Sequence, residues 1–179
     1  MKKLFALIAA SSLLAGSAWA DGHEHDGGGS NFGAAVVYGL DLEGPGIQLS
    51  YYKSGAEDMI GFIEGFAKGG AKIGADFTYY LPDEPPATSI TAFTVNVNLL
   101  SSIKEPEDLD IYAITGLNLT RTSVEVELFG IKGDADSNDF NLNIGAGAAK
   151  PMGFGDLFGE AKYVVGGASQ LVVGVGVRF

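Results

Sequence analysis

The sequence predicts an all-β protein, a transmembrane antiparallel up-and-down β-barrel. Three observations carry that prediction. The 179-residue chain is 46% hydrophobic, yet beyond its first twenty residues it holds no apolar run long enough for a membrane-crossing helix. It carries 27 glycines, which are poor helix formers. Segment after segment alternates apolar residues with small or polar ones, the period of a strand. Lipid offers backbone groups no hydrogen-bond partners, so a membrane chain without helices must close its strands into a barrel.

The chain opens with an address. Lys2 and Lys3 precede an apolar stretch, Leu4 to Leu14, and Ala18-Trp19-Ala20 places small residues where a signal peptidase reads. Residues 1–20 are therefore expected to be a signal peptide cut before Asp21. The apolar stretch is too short to span a bilayer, which needs roughly 20 residues. No Cys follows it, so lipoprotein processing is not expected. Residues 21–30 (DGHEHDGGGS) are polar, Gly-rich and aperiodic. They read as a flexible periplasmic tail. Residues 31–179 read as the barrel.

Alternation is clearest in four segments. In 72–81, Ile73, Ala75, Phe77, Tyr79 and Leu81 oppose Lys72, Gly74, Asp76, Thr78 and Tyr80. In 93–99, Phe93, Val95, Val97 and Leu99 oppose Thr94, Asn96 and Asn98. In 140–148, Phe140, Leu142, Ile144, Ala146 and Ala148 oppose Asn141, Asn143, Gly145 and Gly147. In 170–179, Leu171, Val173, Val175, Val177 and Phe179 oppose Gln170, Val172, Gly174, Gly176 and Arg178. An apolar face opposite a small or polar one is the division between lipid and lumen. Weaker strands are expected at 33–40, 47–53, 110–120, 124–132 and 157–166. Turn-forming clusters stand at 43–46, 82–86, 104–108, 133–136 and 151–153. Residues 57–68 are ambiguous, because Met59, Ile60, Phe62, Ile63 and Phe66 fit helical spacing. As a strand this segment gives ten strands. As a helix or turn it leaves nine, one of which must extend its neighbour, giving eight. Single-chain barrels favour even numbers.

Charge and composition exclude several functions. The net charge is −11, and loss of Lys2 and Lys3 leaves 9 basic against 22 acidic residues, a balance of −13. Nucleic acid is not an expected partner, since little could neutralise its phosphates. With no Cys, and with both His in the tail, no strand-borne Ser–His or Cys–His pair is available. Glu125 with Glu127, and Asp134 with Asp136, read as solvated charge rather than an acid–base pair. No catalysis and no cofactor are expected.

Several stretches resemble the small outer-membrane barrels of the opacity-type, OmpA- and OmpX-like family. The chain ends on an alternating strand with a terminal aromatic, Phe179, preceded by Val175 and Val177, with Tyr163 in the strand before. This resembles the signal read by the barrel-assembly machinery. Ile111 to Leu117, Asn143 to Gly147, Gly159 to Tyr163 and Val173 to Phe179 resemble successive strands of that family. The likeness covers most of the second half of the chain. It implies eight strands, periplasmic termini, outer-membrane lipid as surroundings and no fixed biochemical activity.

Three functional readings follow. The first is a structural or surface-interaction role, with acidic loops facing outward. The second is a small, porin-like ion or solute channel. Lys72, Asp76, Glu125, Glu127, Glu160, Lys162 and Arg178 are all assigned to the non-lipid face. Glu160, Lys162 and Arg178, on adjacent strands, with Lys72 and Asp76, are expected to pair in the lumen, because an unpaired buried charge is costly. The third is metal handling. Cleavage before Asp21 would expose Asp21-Gly22-His23, whose amine, amides and imidazole make a square-planar set suited to Cu(II) or Ni(II). Asp134, Asp136, Asn138 and Asp139 alternate somewhat like a Ca²⁺ loop but lack its Gly and distal Glu.

Overall fold

A strand with one apolar and one polar face must hide the two from each other, and closing the sheet does this without leaving an edge. The computed structural model describes residues 30–55, 70–104, 109–128 and 131–179. Eight strands follow in chain order: β1 (Ser30–Gly39), β2 (Gly44–Ser54), β3 (Ala71–Tyr80), β4 (Thr88–Lys104), β5 (Asp110–Leu128), β6 (Ile131–Met152), β7 (Gly155–Val165) and β8 (Gln170–Arg178). Each pairs antiparallel with the next, and β1 pairs with β8 from Gly33↔Arg178 to Gly39↔Val172, closing the barrel. Among the described residues no helix is long and apolar enough to cross a membrane.

The closed ring decides the strand count. β2 and β3 are direct neighbours from Gly46↔Tyr80 to Ser54↔Lys72, so no strand lies between them. The ambiguous 57–68 segment joins them and lies outside the described residues, as do residues 1–20 and all of the tail but Ser30, which belongs to β1. The strand expected at 124–132 is not separate. It straddles the β5–β6 hairpin, which stays paired out to Leu128↔Ile131.

An antiparallel ring of even number puts the start of β1 and the end of β8 at one rim, here called proximal. At that rim β6 and β7 meet in a tight turn at Gly153-Phe154, so Pro151 and Met152, expected in a turn, are the end of β6. At the distal rim β1 joins β2 through residues 40–43, and β7 joins β8 through 166–169.

Three strands overshoot the distal rim. β3 stops at Tyr80, opposite Ala92, and β7 stops at Val165, opposite Leu142. β4, β5 and β6 continue as a protruding blade, in which Thr88 pairs with Val126 and Val126 with Gly133. Residues 133–136, expected as a turn, lie inside β6 and pair with Ser123–Val126. Gly and Asp are weak strand formers, but here the neighbouring strand overrides propensity. The 81–87 loop secures the other side of the blade, where Glu127 N–H donates to Ala87 O at 2.9 Å.

The faces are inverted relative to a soluble protein. Gln48, Asp76, Asn96, Asn98, Asn118 and Asn143 are buried, while Leu49, Phe77, Val97, Leu117, Leu142 and Ile144 are exposed. Within β6 the adjacent Phe140 and Asn141 are 69% and 2% exposed, and within β8 Val175 is 57% exposed and Arg178 2%. The interior mixes these polar side chains with a buried cluster that includes Leu100, Ile114, Phe158 and Val172, and most of the large apolar surface is outside.

This division predicts a split within a single strand. In the folded protein, amides of Tyr112–Thr120, flanked by paired strands, should exchange slowly. Those of Glu125–Leu128, in the solvated blade, should exchange on the order of 100-fold faster or more, as expected for local opening. Uniform protection along β5, measured by hydrogen–deuterium exchange, would contradict the blade.

Candidate functional site

The lumen is built from glycines upward. Tyr52 on β2 faces Gly74 on β3, and Tyr112 on β5 faces Gly147 on β6. A Cβ on Gly147 would lie 2.6 Å from the Tyr112 ring, and one on Gly74 would lie 2.5 Å from the Tyr52 ring. Each ring therefore lies flat over a cross-strand glycine, an arrangement also used to support glycine in sheets. This leaves room at the barrel axis for one long side chain, Arg178.

Arg178 is enclosed on all sides. Its guanidinium carbon lies 4.3 Å from the Phe158 ring centroid, 4.9 Å from Tyr112 and 5.3 Å from Tyr52. It donates to Glu160 Oε1 at 2.5 Å and to Tyr112 Oη at 2.7 Å. Tyr112 in turn donates to Glu160 at 2.9 Å. Charge-assisted bonds and stacked rings are what a desolvated guanidinium requires.

A second layer adjoins the first. Lys162 lies 3.9 Å from Glu160 and 3.4 Å from Asp76, and donates to Gln48 Oε1 at 3.3 Å. Asp76 accepts from Asn96 at 2.5 Å and Asn98 at 2.6 Å. Asn143 donates to both of those asparagines, Asn118 donates to Asn96, and Asn141 donates to Asn118. The two carboxylates, Asp76 and Glu160, balance the two cations, Lys162 and Arg178. Such pairing is the condition for burying charge at all. A residual cavity of about 10 Å³ remains among Gln48, Thr78, Asn96, Lys162 and Val172, room for about one water.

Not every predicted site residue joins this cluster. Lys72 shares the lumen side of β3 with Asp76 but is half-buried at the proximal rim and takes no part in these bonds. Glu125 and Glu127, assigned to the non-lipid face, fall instead on the outward side of β5. An uninterrupted β5 carries the parity of Leu117 and Leu119 straight through to them, and both are exposed in the blade. Tyr163 and Val175 face outward and are exposed, Val177 is 9% exposed, and Phe179 is half-buried, its N–H donating to Phe32 O at 2.7 Å. Asp21, Gly22 and His23 lie outside the described residues.

Sequence reading missed the aromatic box and the asparagine relay. Tyr52, Tyr112, Phe158, Asn118 and Gln48 all sit on the lumen parity of their strands, which was the available signal. Their partners lie up to 114 positions away, so only the register reveals them.

The second candidate is the outer face of the blade. Ser123 and Arg121 both donate to Asp136, the latter at 3.3 Å, and Lys132 lies 3.6 Å from Glu127. The Ser123 hydrogen bond, followed by Arg121, holds the exposed Asp136 carboxyl below the ordinary range. Glu125, Glu127, Asp134 and Asp136 line an open depression of about 650 Å³ with Ser89, Ser123 and Lys132. Among the described residues no group of three or more His, Cys, Asp or Glu could hold a metal ion. The Ca²⁺-like alternation at 134–139 is spread along an extended strand, with like-facing residues about 7 Å apart.

No family model matches the sequence, and no curated protein matches it. Solved structures do resemble its fold. The N-terminal β-barrel domain of Pseudomonas aeruginosa OprF aligns with a TM-score of 0.56 at 11% identity, covering 84% of this chain and 95% of that one. Neisserial surface protein A aligns at 0.53 and 16% identity, covering 86% and 100%. Ail, the attachment invasion locus protein of Yersinia pestis, aligns at 0.50 and 14%, covering 84% and 95%. The fold is that of the small eight-stranded outer-membrane barrels.

Two substitutions test the lumen. Gly147→Val should push Tyr112 off its seat and cost about 1–3 kcal/mol, as overpacking does. Glu160→Gln leaves Arg178 without its nearest counter-charge and should cost about 3–5 kcal/mol. Urea unfolding of the detergent-folded protein measures both. Wild-type midpoints for the two variants would contradict the packing described.

Proposed function

We propose that this protein is an integral, non-catalytic outer-membrane barrel with a structural or surface-interaction role. One observation carries the reading: large apolar side chains ring the outside of the barrel, while asparagines and four paired charges are buried inside it. Strand length supports it. β1, β2, β3, β7 and β8 are 10, 11, 10, 11 and 9 residues long, and a tilted strand needs about 9–11 to cross a bilayer. The predicted signal peptide would deliver the chain to the envelope, and the strand ending at Phe179 would recruit the assembly machinery. The barrel then anchors in outer-membrane lipid, and the distal rim carries the acidic blade into water.

The filled lumen weighs against the channel reading. Conduction needs a continuous wet path, whereas Arg178, Glu160, Tyr112 and Lys162 occupy this one. Eight strands enclose about enough space for side chains alone.

A charge scan tests the anchor. Val97→Arg and Ile144→Arg, in the outward apolar band, should each lower stability in bilayers by about 2–4 kcal/mol, and Ile131→Arg, on the blade, by about 0–1 kcal/mol. Equal effects at all three positions would overturn the lipid-facing assignment. Planar-bilayer recordings should show no stepwise conductance, and discrete openings would revive the channel.

A further inference from the structure

A strand within a sheet shares its N–H and C=O groups between two neighbours, and an edge strand leaves half of them unpaired. Closed barrels have no edges. This one acquires an edge where the blade leaves the rim. β6 pairs with β5 from Ile131 onward but with β7 only from Leu142. The 166–169 turn covers the last part of the gap: Ala168 N–H donates to Asn141 Oδ1 at 3.3 Å, and Gly167 lies against Asp139. Residues 131–138 remain open, and every one is exposed.

The opposite edge of the blade is closed. On β4, Thr88 N–H donates to Pro85 O at 3.1 Å and Ile90 N–H to Glu84 Oε1 at 3.4 Å. Among the described residues, the loop that covers β4 has no counterpart along 131–138.

Charge selects what the open edge would accept. Lys132, Asp134, Asp136 and Asn138 alternate with Ile131, Gly133, Ala135 and Ser137. Glu125 lies directly across from Asp134, and Glu127 from Lys132. The two cations of the blade, Arg121 and Lys132, already face Asp136 and Glu127. A second copy would bring Asp134 and Asp136 against an edge of the same sign, and like charges across a strand pair repel. A strand with cations at every second position would meet these acids, and small apolar residues between them would lie over Gly133 and Ala135.

We propose that residues 131–138 bind an extended polypeptide segment carrying Lys or Arg at alternate positions, added to the blade as a fourth strand. Strand addition of this kind takes affinity from main-chain bonds and selectivity from alternate side chains. The inference rests on the reading that the distal rim faces water.

The test uses the full mature chain, isotope-labelled and folded in detergent micelles, so that it does not depend on membrane location. The probe is an eight-residue peptide of alternating Lys and Val. It should shift amide signals of residues 131–138 before others. Two changes should each weaken binding by about tenfold or more, if affinity comes from main-chain bonds and selectivity from alternate charges: N-methylation throughout the peptide, and the Asp134→Asn/Asp136→Asn double variant. An alternating Glu and Val peptide should not bind. Equal binding by the methylated peptide would overturn strand addition. Binding of the Glu peptide, or the absence of shifts at 131–138, would overturn the proposal outright.

Discussion

The constraint on which the rest depends is closure. Once β1 pairs with β8, the interior is as wide as eight strands allow and no wider, and polar groups directed inward have only one another for partners. Arg178 feels this limit most: its terminal nitrogen is bonded, while its buried Nε has no partner among the described residues. Its charge sits at the axis, 2% exposed, against one carboxylate and three rings. The positions of Gly74 and Gly147 follow from it, since only glycine lets Tyr52 and Tyr112 lie flat enough to leave that space. Glu160 then links this layer to Lys162, and Lys162 to Asp76 and its asparagines. The glycines that made the sequence look unsuited to helices are in this way part of the lumen.

The barrel was legible in the sequence to the extent that period two is a local property. Phe77 against Asp76, Val97 against Asn96, and Val175 against Arg178 each declare two faces without knowledge of a neighbour. The counter-charge for Arg178 could be anticipated, because Glu160 lies in the adjoining strand. The relay from Asp76 through Asn96 to Asn143 and Asn118 could not, because it joins four strands whose register no single segment encodes. The blade was misread for a related reason. Gly133-Asp134-Ala135-Asp136 has the composition of a turn, and only pairing with Ser123–Val126 holds it extended. That error also misplaced Glu125 and Glu127, whose side follows from β5 running unbroken past the rim.

Interior and exterior thus divide the work. The lumen contributes rigidity and a neutral, filled core. The outward apolar band sets where the protein can reside. The part left free to interact is the blade, which is acidic and where the sheet regains an edge. Its chemistry differs from that of the lumen in kind: the ion pairs of Arg121 with Asp136 and of Lys132 with Glu127 are solvated and weak, whereas those of Arg178 and Lys162 are dry.

The most direct test of this account is the gel mobility of the protein, unboiled against boiled, after extraction from fractionated envelopes. A closed barrel with a bonded lumen that resides in lipid predicts recovery in the outer-membrane fraction and a shift in mobility on boiling. Release by osmotic shock, with the same mobility before and after boiling, would contradict it and would require the apolar faces to point inward.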